Sequence, residues 1–275
     1  MDFIGEIFQY RFLGNAVRAA VLSGIVCGII GVYVVSRRLV FLSGGITHSS
    51  FGGIGIAYYF GLNPVLGALV FALISALGIE WASDKGRIRE DSAIGVVWSV
   101  GMAIGIIFIY MAPGYAPNLM SFLFGSILTV TRVDLVALAI LAALLLILFS
   151  VYMRRIVYVA FDREYAASQG VPVKFISYMM SAFVAMAIVF SIRSVGIVML
   201  ISLLTIPAVI VNTFIRSYAK LTVWAAIVAV AGNLAGLWFS YKLNIPAGAA
   251  TIFVLTITLI VVKLVPLYRS KSISS

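Results

Sequence analysis

Long apolar runs separated by short polar turns dominate this chain, at 13–35, 40–60, 64–81, 92–111, 133–152, 175–192, 195–215, 221–241 and 247–265. Each approaches the ~20 residues that a helix needs to cross ~30 Å of hydrocarbon. The runs are continuously apolar, whereas membrane barrel strands alternate over about ten residues, so helices are the predicted element. The second run is glycine-rich and the sixth and seventh form a short pair, where a broken or incomplete crossing would turn nine spans into eight. The expected fold is an all-α, polytopic transmembrane helix bundle of eight to nine hydrophobic segments, a single domain over 1–275.

Composition agrees: 63% of the 275 residues are hydrophobic, 10% are charged and the mean hydropathy is +1.17. That is more apolar surface than a water-soluble core of this size can bury. The net charge of +10 is topological. Arg37 and Arg38, then Lys85, Arg87 and Arg89, then Arg154, Arg155, Arg163 and Lys174, then Arg216 and Lys220, then Lys263, Arg269 and Lys271 recur at alternate ends of the spans. These ends are cytoplasmic by the positive-inside rule, and Arg11, Arg18, Arg132, Arg193 and Lys242 fall opposite them. Charges spread over short loops form no basic face, so nucleic acid is excluded as a partner and the lipid bilayer is the surrounding medium. The expected location is a cell membrane, the inner or plasma membrane of a bacterium, crossed several times.

The start, Met-Asp-Phe-Ile-Gly-Glu, is acidic where a basic leader is expected, so the first span is read as retained, with 3–13 as a short interfacial helix before it. Cys27 is the one cysteine, which excludes an intrachain disulfide or a cysteine metal cluster and leaves core packing. Stripes such as Gly24, Gly28 and Gly31, Gly52 and Gly55, and Gly101 and Gly105 predict close helix approach. Pro207 predicts a kink in the seventh span or a lining of the pathway; the carbonyl it frees would be satisfied by Thr205 or Ser202.

The acidic residues Asp2, Glu6, Glu80, Asp84, Glu90, Asp91, Asp134, Asp162 and Glu164 all fall in loops or at span ends. A proton-driven carrier needs a titratable relay within the bundle, and only His48 is offered for it. Uphill transport would then draw energy from elsewhere, and with no Gly-Lys-Ser or Gly-Lys-Thr phosphate loop present, nucleotide hydrolysis falls to a partner. An intramembrane serine hydrolase, built from Ser43, Ser49 or Ser50 with His48, lacks any sign of a nucleophile contact or oxyanion hole.

His48, the one histidine, lies in Leu42-Ser-Gly-Gly-Ile-Thr-His-Ser-Ser-Phe-Gly-Gly53. A polar ring at membrane depth is costly, which makes it a candidate transport-site residue; the alternative is a packing residue bonded to a backbone carbonyl. The longest cytoplasmic connection, 153–172, contains a capped helix signal: Asp162 as N-cap, Arg163 to Ala167 as helix formers, Gly170 and Pro172 as the stop. Phe161 and Tyr165 give it an aromatic flank suited to a partner's groove, against the alternative of a plain solvated connector. The loop 82–91 flanks the same side, and in the outer stretch 111–131 the apolar half 120–128 predicts a short helix or re-entrant piece.

These segments, in order, resemble the membrane permeases of zinc, manganese and iron ABC importers, the ABC-3 group. The likeness is carried by Leu42-Ser-Gly-Gly-Ile-Thr-His48, by Phe161-Asp-Arg-Glu-Tyr-Ala-Ala-Ser-Gln-Gly-Val-Pro-Val173, by Ser194 to Ala208 with its proline, and by Asn244-Ile-Pro-Ala-Gly-Ala-Ala250. The resemblance implies a non-enzymatic permease, a second permease chain forming a homodimer, a cytoplasmic ABC ATPase subunit docked on the coupling segment, and an extracytoplasmic metal-binding protein. It implies no permanently bound cofactor, with the divalent metal ion as cargo. Asp162, Arg163, Glu164 and Gly170 would couple the ATPase to the spans. The family places an Asp one helical turn before the His, where this chain has Gly44. His48 from two subunits, with Thr47, Ser43 or water, would then make up the metal's shell. Neutral imidazole leans the choice toward zinc or iron, and manganese prefers more oxygen ligands. A permease for a chelated metal or cofactor is the second expectation and a proton-coupled carrier the third.

Overall fold

In a computed structural model, residues 9–85, 89–113 and 130–272 are described, with Gly5, Ile7 and Gly125. The helices are α1 Arg11–Ser36, α2 Val40–Tyr59, α3 Pro64–Asp84, α4 Glu90–Met111, α5 Arg132–Phe161, α6 Arg163–Ser168, α7 Val173–Val195, α8 Ile197–Asn212, α9 Tyr218–Leu243 and α10 Ala247–Ser272. Each of the nine apolar runs is a helix, and α6 is the short cytoplasmic one. Among the described residues, seven helices are long and apolar enough to cross a membrane. The exceptions are α6, α2, diluted by its glycines and hydroxyl residues, and α8, whose 16 residues span about 24 Å. Of the expected interfacial helix at 3–13, Gly5, Ile7 and Gln9 are helical, Tyr10 is the N-cap of α1, residues 11–13 belong to α1 itself, and 3, 4, 6 and 8 lie outside the described residues, as does the apolar stretch 120–128 apart from Gly125.

Local chemistry sets the boundaries. Asn63 caps α3, its side-chain oxygen accepting from the Val65 amide at 2.9 Å, and Pro64 follows at the first helical position. Thr131 and Asp134 form a reciprocal capping box at the start of α5. Between α7 and α8 the chain breaks at Gly196, whose φ of 92° would strain any side chain. Gly125, also left-handed, lies against the backbone of Val195 and Gly196 at this break.

Close packing follows the glycine stripes. On α1, Gly24 and Gly28 admit the α9 backbone at Val230 and Ala226, and Gly31 admits the α8 carbonyl of Leu204. On α2, Gly52 and Gly55 meet Gly101 and Gly105 of α4, while Gly53 meets Gly67 of α3. Helix α2 is thus clamped between α3 and α4. Polar bonds supplement the fit: Ser49 Oγ donates to Ser75 Oγ at 3.1 Å, and Asn233 Nδ2 to the Ala20 carbonyl at 2.9 Å. Large apolar side chains such as Val133, Ile147, Val151 and Phe253 are exposed, as lipid-facing residues must be.

Two ion pairs tie helix ends together. Arg193 at the end of α7 donates to both Asp134 carboxylate oxygens at the start of α5, at 2.9 and 3.2 Å. At the other end, Lys174 of α7 reaches Asp84 of α3 at 3.0 Å. Pro207 lies inside α8, which continues to Asn212. The Thr205 hydroxyl donates to the Ile201 carbonyl at 2.9 Å, with the Ser202 carbonyl at 3.5 Å, and not to that of Leu203, four residues before the proline, because a helical threonine reaches carbonyls three or four residues back and Leu203 is two.

Candidate transport site and coupling segment

His48 and Trp98 face each other across the α2–α4 seam, rings parallel within 6° and centroids 4.4 Å apart. Each stands eight residues from the cytoplasmic start of its helix, a depth of about 12 Å. His48 is half-buried. The stack fixes the ring plane and leaves the ring edge, with its nitrogens, for another partner. Gly44, one turn before His48, shares this face: a Cβ there would stand 3.2 Å from Ile201 Cδ1 of α8 and 3.5 Å from Trp98 Cζ3.

Ser43 and Thr47 are fully buried on other sides of α2. Their hydroxyls donate to the Val40 and Ser43 carbonyls, at 2.7 and 2.6 Å, so only their lone pairs are left to offer. Ser50 likewise donates to the Thr47 carbonyl at 2.6 Å. Among the described residues no cluster of three His, Cys, Asp or Glu side chains is present. A cavity of about 350 Å³ opens beside the stack, lined by Phe41, Asp91, Ile94, Gly95 and Trp98. Its α4 wall, Asp91, Ile94, Gly95 and Trp98, is one helical face leading from the stack to a carboxylate at the cytoplasmic end.

Trp98 escaped the sequence reading. It sits fifty residues from His48 in an apolar run where an aromatic reads as core or lipid contact. The shared depth of eight residues into two helices joined through α3 was the signal that would have found it.

At the cytoplasmic end, Asp162 caps α6, its Oδ1 accepting from the Tyr165 amide at 2.9 Å. Gly170, at φ 72°, ends the turn, and the Val171 amide donates back to the Ala166 carbonyl at 3.0 Å. Ala166 is buried and anchors the helix, while Asp162, Glu164, Phe161 and Tyr165 are exposed. Arg163 points the other way, into the bundle, where its Nη2 donates to the Glu80 carboxylate and to Ser177 Oγ.

Seven long apolar helices among the described residues define a multi-pass membrane protein. The chain belongs to the ABC 3 transport family, whose model matches residues 9–265. It is 39% identical to an uncharacterized membrane protein of Synechocystis sp., over 93% of this chain and 91% of that one. It is 33% identical to the manganese transport system membrane protein MntC of Listeria monocytogenes, over 94% and 91% of the two chains. Among solved structures it resembles PsaBC from Streptococcus pneumoniae in complex with Fab, with a TM-score of 0.85, 27% identity and 94% of each chain covered. The chain is accordingly a multi-pass membrane protein of a transport family.

Proposed function

We propose that this chain is the membrane-spanning permease of an ATP-driven importer for a divalent metal ion, with His48 as a waypoint for the cargo. The observation that carries the reading is the His48–Trp98 stack: a half-buried imidazole, held by a neighbouring helix, in a bundle whose family is a transport family. The naming of relatives such as MntC supports manganese as the first cation to test. A second permease chain would bring a second His48 to the axis, a cytoplasmic ATPase would dock on the exposed face of α6 through Asp162 and Glu164, and an extracytoplasmic metal-binding protein would deliver the ion. Transport forms no covalent intermediate: the spans expose the site alternately to either side.

The test is uptake of manganese(II), zinc(II) and iron(II) into proteoliposomes holding the chain with its ATPase and delivery protein. ATP-dependent flux of one of them supports the reading. Flux without ATPase, abolished with the proton gradient, would instead make the chain a secondary carrier.

Trp98→Ala frees the His48 ring, and flux per assembled transporter falls about tenfold, the lower range for losing a group that orients a ligand. Trp98→Phe keeps an aromatic face and retains most of the flux. Unchanged flux in Trp98→Ala would deny the stack any orienting role.

A second reading, zinc or iron as cargo, is favoured by Gly44, which leaves the His48 face without a carboxylate. Gly44→Asp is expected to fold, because its nearest obstacle is the flexible end of Ile201. It should tighten manganese binding about tenfold and slow release, since a carboxylate on the His48 face adds an oxygen ligand. Equilibrium binding and flux, measured side by side, check both; unaltered binding would place the cargo's path away from Gly44.

A further inference from the structure

Glu80 belongs to the last turns of α3, a position from which a carboxylate ordinarily reaches water, yet it is only 5% exposed. Its two oxygens are taken by Arg163 Nη2 and by Ser181 Oγ, the latter at 3.1 Å. The same Arg163 nitrogen donates to Ser177 Oγ at 2.6 Å. Arg163 is the first residue of α6, Glu80 belongs to α3, and Ser177 and Ser181 stand one turn apart on α7. One guanidinium thus gathers three helices. The hold is narrow, because Arg163 Nε is buried with no bond of its own.

With its carboxylate buried, this ion pair is a poor source of net stability, since desolvation offsets most of the attraction. What it supplies is a tie: an always-charged guanidinium, bound through one nitrogen to a buried carboxylate that cannot find water, links the helices that carry them. The exposed Lys174–Asp84 pair crosses the same α3–α7 seam without touching α6, so it is not what holds α6 in place. From Glu80, α3 runs outward to Gly67, whose backbone lies against Gly53 of α2, the helix that carries His48.

We propose that Glu80 is the positioning residue that makes α6 move as one body with α3 and α7, so that displacement of α6 reaches α2 through the Gly67–Gly53 contact. The proposal rests on the reading of α6 as the ATPase-coupling segment. It gives Arg163, which the resemblance named as one of the residues coupling the ATPase to the spans, the specific part of a strut between α6, α3 and α7.

The experiment uses the whole transporter in proteoliposomes and reads manganese(II) moved per ATP hydrolysed, alongside co-purification of the ATPase. Glu80→Gln and Arg163→Gln each lower the ratio about tenfold, the scale of a coupling between sites, with the ATPase still bound and hydrolysing. The double variant falls no further than the worse single one, because both act through one contact. Asp84→Asn, which breaks the exposed pair, keeps the wild-type ratio. A role in folding alone would reduce the amount of assembled transporter and leave the ratio unchanged. A wild-type ratio in Glu80→Gln, or a double variant whose loss is the product of the two single losses, overturns the proposal.

Should Glu80→Gln fail to assemble, Glu80→Asp carries the same test, keeping the charge on an arm one methylene shorter. Amide hydrogen exchange supplies a readout independent of cargo: Glu80→Gln speeds exchange across 163–170 and leaves the middle of α3 protected. If the wild type moves no metal, the importer reading fails and exchange alone decides the tie; unchanged exchange over 163–170 refutes it.

Discussion

His48→Ala is expected to reduce metal flux about a hundredfold, because removing a ligand costs at least the upper range seen for removing its supports. The fold should survive. His48 is half-buried, among the described residues its one ring contact is Trp98, and such a stack contributes about 1 kcal/mol. The backbone of α2 is held elsewhere, by Gly52, Gly53 and Gly55 against α3 and α4. Flux must therefore be compared at equal amounts of assembled transporter. A loss of flux that only tracks a loss of assembled protein would return His48 to the packing role that its sequence position also permits. Full flux at normal assembly would move the cargo's path to another seam of the bundle.

Gly31→Ala should have the largest effect on stability, about 3 kcal/mol, at the upper end for overpacking. The added methyl would fall inside the van der Waals envelope of the Leu204 carbonyl oxygen, and that obstacle is backbone with no rotamer to yield. Relief requires α8 to move off α1, which disturbs the helix that brings Ile201 against Gly44. Gly78→Ala is the control: a Cβ on this exposed glycine of α3 meets nothing within 4 Å. It should be neutral or stabilising by up to about 1 kcal/mol, from helix propensity alone. Thermal unfolding of both variants in the same detergent checks the contrast. Equal melting temperatures would mean that the α1–α8 approach is looser than its geometry.

Features that depend on a residue and its near neighbours were legible in the sequence. The nine apolar runs became nine helices, seven of them long and apolar enough to cross a bilayer, because run length and hydrophobicity are properties of the segment itself. The glycine stripes and the capped α6 were equally readable, since each is a local rule of backbone geometry. Illegible were the facts that need two distant segments at once. Trp98 becomes informative only when α4 is laid against α2. Glu80 read only as a span-end acid, and its burial depends on Arg163, 83 positions away. Arg163 read as one of four coupling residues, and that it alone of them turns toward α3 and α7 depends on Glu80 and Ser177, which the local sequence does not show. Thr47, adjacent to His48 in sequence, and Ser43, five residues before it, lie around the helix from it, since successive residues are rotated by about 100°.

The burial of Cys27 has a practical consequence. Its side chain is fully enclosed, with Sγ 3.5 Å from Ser191 Oγ, and an enclosed structural thiol is chemically inert. The native chain is thus a silent background for thiol labelling. A cysteine introduced at an exposed position of α6 outside the proposed docking pair, such as Ser168, would be the sole reactive thiol in the permease, so a fluorophore or spin label there could follow α6 through a transport cycle without altering the α1–α7 contact that Cys27 helps to fill.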